Sequence, residues 1–373
     1  MVPRQNPPNV PEDPTLKRSP LHQDHVRLGA KLVEFSGWEM PVQYSGIIDE
    51  HRAVRETCGV FDISHMGQFF VHGPEATRWL DSLLTNHVAA LDVGQAQYTF
   101  LLNDQAGVID DLIVYRIGEQ DYLLIVNAAK ISEDAAWLED HLIDGVTFAD
   151  RSEQHGAIAV QGPDAPQVYA EMFEGLDAPP LPPRNGVVMI PMAMDRIFVC
   201  RTGYTGEDGF ELVCPADATS AWLQKSIQSG AKPCGLGARD SLRLEMGYPL
   251  NGSDLSPDHT PLEAGLGFAV KLDKGAFTGS EILSSQKSGG LRQKLIGFEM
   301  VDKGPPPRPH YPIEKDGSVI GEIASGGMSP SLGKGIGMAY LPIEHSKIGG
   351  EIQIDIRGRK LNARIVRKPF YRK

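Results

Sequence analysis

Residues 67–84, Gly-Gln-Phe-Phe-Val-His-Gly-Pro-Glu-Ala-Thr-Arg-Trp-Leu-Asp-Ser-Leu-Leu, and residues 156–173, Gly-Ala-Ile-Ala-Val-Gln-Gly-Pro-Asp-Ala-Pro-Gln-Val-Tyr-Ala-Glu-Met-Phe, share one pattern. Each copy predicts a strand, a turn at Gly-Pro and a helix, because proline is tolerated in the first turn of a helix. A pattern that recurs within one chain indicates a duplicated structural unit.

Both copies continue into further strands and a second helix. After the predicted strand at residues 122–127, a helix carries an apolar face formed by Ile131, Ala135, Leu138 and Leu142. After the predicted strand at residues 210–214, the matching helix carries Trp222, Leu223 and Ile227. We therefore predict an α+β fold of two related units, at about 67–150 and 155–230, each an antiparallel sheet with helices on one face. Residues 19–66 and 231–283 are expected to pack against them and complete one module.

The ends of the chain differ from this module. Prolines and scattered charges at residues 1–18 predict a disordered tail. Residues 284–293 are rich in Ser and Gly and predict a linker. Residues 294–373 form a third domain, which we expect to be a small β-barrel, because short alternating segments are separated by Gly and Pro. These segments are residues 294–301, 318–325, 335–341, 351–357 and 360–367.

Composition limits the possible partners and location. The chain has 373 residues and a net charge of −12, which argues against non-specific binding to nucleic acid or to an anionic membrane. No apolar run approaches the roughly 18 residues that a membrane helix needs. The four cysteines show no disulfide framework, so we expect reduced thiols and a cytoplasmic protein.

Residues 103–115, Asn-Asp-Gln-Ala-Gly-Val-Ile-Asp-Asp-Leu-Ile-Val-Tyr, place two adjacent carboxylates in a predicted strand that follows a hairpin turn at Gly107. Successive strand residues face opposite sides, so one of Asp110 and Asp111 can face a site while the other faces away. Two interpretations are open. The acids are solvated at a strand end, or one of them orients a ligand or takes part in catalysis.

Two glycine-rich stretches carry further polar side chains. Residues 201–211 read Arg-Thr-Gly-Tyr-Thr-Gly-Glu-Asp-Gly-Phe-Glu, and residues 235–245 read Gly-Leu-Gly-Ala-Arg-Asp-Ser-Leu-Arg-Leu-Glu. The second lacks the third glycine of a dinucleotide fingerprint and predicts a helix start near Arg239. Arg239 either forms an ion pair with Asp240 or Glu245, or contacts a ligand. No ligand set for a metal is recognisable, and no metal site is expected.

Taken together and in order, the motifs resemble the T-protein family of the glycine cleavage system. The resemblance extends from about residue 22 to residue 371. The matching stretches are residues 28–31, 37–44, 60–66, 107–112, 203–211, 235–245 and 329–332.

The resemblance implies a fold and an activity. Family members are aminomethyltransferases with three domains arranged as a cloverleaf around a folate cavity. They take the aminomethyl group carried on the lipoyl arm of H-protein, release ammonia, and pass the one-carbon unit to tetrahydrofolate as 5,10-methylenetetrahydrofolate. Glycine catabolism and one-carbon metabolism are therefore the expected context, with tetrahydrofolate as co-substrate and lipoylated H-protein as partner.

The resemblance also implies roles for individual residues. The family's key aspartate matches Asp111, the second acid of the pair. Contacts to folate carry over to a further set of residues, namely Tyr98, Tyr204, Glu211, Arg239, Met66, Asn127 and Tyr248. A carboxylate such as Glu211 can accept two adjacent N–H groups of a pterin, and tyrosine rings offer flat surfaces to ring systems. A fixed charge on Asp111 would stabilise the positive carbon that develops as ammonia leaves.

Related functions remain possible at this point. A folate-binding protein without transferase activity carries Lys-Gly-Cys-Tyr in its glycine-rich motif, whereas residues 201–204 here are Arg-Thr-Gly-Tyr. A tetrahydrofolate-dependent demethylase is a further alternative, which a requirement for H-protein would distinguish. The basic C-terminal end is either a solvated face or a surface for an acidic partner or an anionic ligand tail.

Overall fold

Two sheet–helix units and a barrel make up the computed structural model of the chain, which describes residues 15–192 and 196–373. The predicted α+β class and the C-terminal barrel are confirmed. Within those residues, no helix combines the length and the apolar composition that crossing a bilayer requires.

A short three-stranded sheet precedes the duplicated units. Its elements are β1 (Lys17–Arg18), α1 (His22–Arg27), β2 (Lys31–Phe35) and β3 (Trp38–Gln43), and they lead to α2 (Ile47–Glu56) and β4 (Gly59–Asp62). Most of the predicted tail, residues 1–14, lies outside the described residues. Lys17 and Arg18 were assigned to that tail, but they form β1 and pair in parallel with β3.

The first unit has five antiparallel strands. Its elements are β5 (Gly67–His72), α3 (Ala76–Leu83), β6 (Ala96–Leu102), β7 (Val108–Gly118), β8 (Asp121–Val126), α4 (Ile131–Asp140) and β9 (Thr147–Asp150). The strand order is β6-β7-β8-β5-β9. Leu142 does not extend the apolar face of α4 as predicted, because the helix ends at Asp140 and Leu142 is exposed.

The second unit repeats this order. Its elements are β10 (His155–Gln161), α5 (Ala165–Met172), β11 (Val187–Pro191), β12 (Arg196–Cys200), β13 (Gly209–Pro215), α6 (Thr219–Gln228) and β14 (Lys232–Pro233). The strand order is β11-β12-β13-β10-β4-β14, so β4 is inserted at the position where β9 follows β5 directly in the first unit.

The glycine of each Gly-Pro pair explains why this dipeptide recurs. Gly73 has a φ of 134° and Gly162 a φ of 142°, a conformation that side-chain-bearing residues rarely adopt. A Cβ atom at either position would also collide with backbone, at Gly145 in one unit and at Thr57 in the other. The same turn is therefore built twice, and only glycine fits it.

The two sheets face each other, with helices on their outer sides. One core lies between the first sheet and its helices α3 and α4, where Trp79 and Leu138 are buried. A second core lies between the other sheet and α5 and α6, where Tyr169 and Leu223 are buried. A third core contains side chains of both sheets, so β10 is covered on both faces and all seven of its residues are buried.

The barrel closes from six strands rather than the five predicted segments. Its strands are β15 (Gln293–Met300), β16 (Pro312–Lys315), β17 (Ser318–Ser329), β18 (Lys334–Pro342), β19 (Glu351–Ile356) and β20 (Arg359–Val366). The order around the barrel is β15-β18-β17-β16-β19-β20. On its surface, Lys360 pairs with Glu314, and Arg364 lies 4.0 Å from Glu351.

The predicted linker at residues 284–293 is largely helical. Helix α8 spans Ser280–Gly289, and β15 begins at Gln293, so only three residues separate them. The Ser-rich composition was misleading, because Leu283 is fully buried and anchors the helix.

Helix α7 (Leu236–Met246) connects the module to the barrel. Glu245 accepts hydrogen bonds from Ser331 of the segment after β17 and, at 2.5 Å, from Ser329. Glu245 also accepts a hydrogen bond at 2.8 Å from the guanidinium of Arg55 on α2. This buried network holds the barrel against the two sheets.

Candidate active site

Asp111 lies on β7 and is held by a tyrosine from the neighbouring strand. Phe100 of β6 is the register partner of Asp111, and Tyr98 lies two residues before Phe100. The Tyr98 hydroxyl donates a 2.8 Å hydrogen bond to Oδ2 of Asp111. Asp111 is partly exposed whereas Asp110 is fully buried, so Asp111 is the acid that a ligand can reach.

Asn127, at the end of β8, contacts both acids. Its backbone N–H donates to Oδ2 of Asp110 at 3.0 Å. Its side-chain amide donates to Oδ1 of Asp110 at 2.8 Å and to Oδ1 of Asp111 at 3.0 Å. The two acids thus lie on opposite sides of the strand, as predicted. The side-chain amide of Asn127, at the end of β8, nevertheless hydrogen-bonds to both of them.

The surroundings of Asp111 change its acidity. Burial raises the pKa of Asp111 to about 7, and the charge of Asp110 adds to the increase, while hydrogen bonds from Tyr98 and Asn251 oppose it. Burial also raises the pKa of Tyr98 well above its ordinary value, so its hydroxyl stays a donor. An acid tuned to neutral pH at an accessible position is typical of a functional group.

Glu211, on β13 of the second unit, is held by residues from both units. Thr202 donates to Oε2 of Glu211 at 2.5 Å. The hydroxyl of Tyr115, from β7 of the first unit, lies 2.7 Å from Thr202. Burial raises the pKa of Glu211, and the charge of Arg239 opposes this. Glu211 is therefore positioned across the junction of the two sheets.

Arg239, in the first turns of α7, lies over an aromatic ring. Its guanidinium carbon is 4.8 Å from the ring centroid of Tyr204, which stacks on Tyr248 at 5.9 Å and 25°. The alternative that Arg239 forms an ion pair with Asp240 or Glu245 is wrong. Asp240 pairs with Arg243, and Glu245 pairs with Arg55. In the described part of the chain, no carboxylate lies within 4.0 Å of the Arg239 guanidinium.

Met66 completes the set of expected residues. It lies before β5 and lines a small cavity between the two sheets together with Tyr115, Cys200 and Glu211. All eight expected residues are partly buried and none is fully exposed. They are Met66, Tyr98, Asp111, Asn127, Tyr204, Glu211, Arg239 and Tyr248.

The structure adds site residues that the sequence did not suggest. Tyr115 lies on the same face of β7 as Asp111, at a spacing of four, so strand periodicity could have found it. Phe268 is 65% exposed, and its ring stacks beside Tyr98 at 6.2 Å. Asn251 approaches Asp111. Asn251 lies in a loop and Phe268 in a short 3-10 helix, Gly267–Ala269; both are far along the chain and carry no local signal.

Metal ligands are not grouped in this region. Among residues 15–192 and 196–373, no set of three or more His, Cys, Asp or Glu side chains is arranged to hold a metal ion.

Two family models match the chain, and together they cover most of it. The GCVT N-terminal domain matches residues 21–274, and the glycine cleavage T-protein C-terminal barrel domain matches residues 293–372.

Curated relatives and a solved structure agree with these matches. Aminomethyltransferase from Symbiobacterium thermophilum is 45% identical over 368 residues, covering 96% of this chain and 98% of the relative. Aminomethyltransferase from Geobacillus thermodenitrificans is 47% identical over 363 residues, with coverage of 96% and 99%. The crystal structure of glycine cleavage system aminomethyltransferase T from Bartonella henselae aligns with a TM-score of 0.90 and 35% identity, covering 95% of this chain and 98% of that one. The chain therefore belongs to the glycine cleavage T-protein family of aminomethyltransferases.

Proposed function

We propose that this aminomethyltransferase takes the aminomethyl group from the lipoyl arm of H-protein and transfers its carbon to tetrahydrofolate. Ammonia leaves, and 5,10-methylenetetrahydrofolate and dihydrolipoyl H-protein are formed. The observation that carries the proposal is the accessible Asp111 carboxylate, held by Tyr98 and Asn127. It stands in a site whose other groups suit a pterin.

Asp111 has the properties that charge stabilisation requires. Positive charge develops on the transferred carbon as ammonia departs, and a fixed carboxylate nearby lowers the energy of that state. Two hydrogen bonds fix the orientation of Asp111 before the substrate arrives, so little reorganisation is needed during the reaction. The carboxylate is charged above its pKa of about 7, which makes it available at neutral to mildly alkaline pH.

Glu211, Tyr204 and Arg239 suit the recognition of tetrahydrofolate. Glu211 is an acceptor with one oxygen held by Thr202, and the pterin edge presents adjacent N–H donors. The ring of Tyr204 offers a flat apolar surface, and Arg239 over its face adds a positive charge. Met66 lines the same cavity as Glu211 and contributes an apolar side chain to its wall.

We further propose a cytoplasmic location. The support is that Cys58, Cys200, Cys214 and Cys234 are all buried and that the described structure joins none of them in a disulfide. The net charge of −12 opposes binding to nucleic acid or to an anionic membrane.

Reconstitution with purified partners tests the function. Lipoylated H-protein carrying the aminomethyl group, tetrahydrofolate and the enzyme should yield methylenetetrahydrofolate and ammonia in equal amounts. H-protein without its lipoyl group is the matched control and should support no turnover. Equal turnover of a small methylated amine without H-protein would contradict the proposal and favour a demethylase.

A further inference from the structure

Asp134 is a buried acid that the catalytic scheme leaves without a role. It lies on α4 behind the Asp110–Asp111 strand and is 0% exposed. Within residues 15–192 and 196–373, neither of its carboxyl oxygens receives a hydrogen bond from an N–H or hydroxyl donor. Its partner is the carboxyl group of Asp110, which is also 0% exposed.

Two touching carboxyl groups in a buried position cannot both be charged. A buried carboxylate without a donor is costly, whereas a protonated one needs only an acceptor. Asp110 accepts two hydrogen bonds from Asn127, and Asp134 accepts none. The geometry therefore assigns the negative charge to Asp110 and the proton to Asp134.

The charged groups around Asp134 agree with this assignment. The pKa of Asp134 is raised to about 10, mainly by burial and by the charge of Asp110. The charge of Glu133 also raises this pKa, and the charge of Lys130 opposes the increase only weakly. Burial also raises the pKa of Asp110, but hydrogen bonds from Asp134 and Asn127 oppose that increase.

We propose that Asp134 is a positioning residue, which keeps its proton and donates a hydrogen bond to the charged Asp110, so that Asp110 holds Asn127 and Asn127 orients Asp111. The inference rests on the proposed function of Asp111. The donors run in one direction: the hydroxyl of Asp134 to Asp110, the backbone and side-chain N–H groups of Asn127 to Asp110, and the same amide of Asn127 to Asp111.

Removing the donor should weaken the whole series of contacts. Without this donor, Asp110 loses one of the hydrogen bonds that stabilise its charged form. Asp110 is then more readily protonated. A protonated Asp110 accepts hydrogen bonds from Asn127 less well, so the amide is free to turn away from Asp111.

Three variants separate positioning from a structural role. Asp134→Asn keeps a donor toward Asp110, and its kcat should stay within about threefold of wild type. Asp134→Leu has a similar size and no donor, and its kcat should fall by about 10- to 100-fold with little change in KM for tetrahydrofolate. Asp140→Leu, at an exposed position of the same helix, is the control and should behave as wild type.

The result that overturns the proposal is a full kcat in Asp134→Leu, or an equal loss in Asp134→Asn and Asp134→Leu. Infrared spectroscopy keeps the test decisive if Asp134→Leu fails to fold. At about pH 8.5, above the pKa of Asp111 of about 7 and below the pKa of Asp134 of about 10, wild type should show the carbonyl band of a protonated carboxylic acid that Asp134→Asn lacks. If wild type and Asp134→Asn show the same carbonyl bands, Asp134 is ionised in wild type and the proposal fails. Because this readout needs no turnover, it stays valid even if the proposed reaction is wrong.

Discussion

The hydroxyl of Tyr98 donates a 2.8 Å hydrogen bond to Oδ2 of Asp111, while the side-chain amide of Asn127 holds Oδ1 at 3.0 Å. Tyr98 comes from β6 and Asn127 from the end of β8, so the strands on both sides of β7 fix the acid. Each oxygen has its own donor, which sets the direction of the carboxylate.

Tyr98→Phe should lower activity mainly by releasing Asp111. The ring remains, but a hydrogen bond to a charged group is lost, which is worth about 1.5–3 kcal/mol or roughly 10- to 100-fold in turnover. The Tyr98 hydroxyl lowers the pKa of Asp111, so its removal should also move the acid limb of the pH–rate profile to higher pH. Steady-state kinetics across pH measure both effects. Tyr311→Phe, in the barrel, is the control, and an unchanged profile in Tyr98→Phe would contradict the role of this contact.

The wild-type enzyme should lose activity as the pH falls through about 7. The pKa of Asp111 is raised to about 7, and the charged form is the active one, so activity is present above this pH and disappears below it. Because the charge of Asp110 raises that pKa, Asp110→Asn should shift the midpoint to lower pH. A profile of kcat/KM against pH tests this, and a midpoint that stays in place or rises in Asp110→Asn would refute the coupling.

Glu211→Gln should weaken the binding of tetrahydrofolate more than it slows the chemical step. The amide keeps one acceptor oxygen but replaces the other with a donor, which faces the N–H groups of the pterin. The loss of a charged hydrogen bond corresponds to about a 10-fold or greater increase in Kd. Isothermal titration with tetrahydrofolate measures it, and Glu281→Gln on the exposed face of α8 is the control. Unchanged affinity in Glu211→Gln would remove Glu211 from the pterin site.

Glu245→Gln should destabilise the protein rather than alter its chemistry. Burial alone would raise the pKa of Glu245, but hydrogen bonds from His51 and Ser329 and the contact with Arg55 lower it to about 2. Its stabilisation is therefore present above pH 4.5 and is lost as the pH falls through about 2. Removing one partner of a buried ion pair costs about 3–5 kcal/mol in the free energy of unfolding. Urea unfolding at neutral pH measures this, with the exposed Glu139→Gln as control, and equal stability of the two variants would contradict the prediction.

The duplication could be predicted from sequence because backbone geometry restricts which residues are possible. Gly73 and Gly162 have a positive φ and leave no room for a Cβ atom. Both copies therefore contain the Gly-Pro pair, which identifies the repeat in the sequence. Strand β16 was missed because Pro312–Lys315 is short and follows a proline-rich stretch, which predicts a turn. The second part of α8 was assigned to a linker at residues 284–293, because the one buried residue of the helix, Leu283, precedes that stretch and leaves it without an apolar pattern.

The site was predictable only where a motif carries it. Asp111 stands in a recognisable stretch, and alternation along β7 correctly separates it from Asp110. Two contacts of the site join segments that are distant in sequence, namely Asp134 with Asp110 and Phe268 with Tyr98. No local sequence pattern predicts such contacts. The proton on Asp134 follows only from burial and the absence of donors in the described structure, which are properties of the folded chain.

The central claim is that the charge on Asp111 drives transfer to tetrahydrofolate, and Asp111→Asn tests it directly. Methylenetetrahydrofolate and ammonia should be measured from aminomethyl-lipoyl H-protein and tetrahydrofolate, with wild type and variant side by side. The variant should fold and bind tetrahydrofolate as wild type does, and it should lose about 100-fold or more in turnover, the scale expected when one preorganised stabilising group is removed. Full activity of Asp111→Asn, with unchanged folding and binding, would contradict the account.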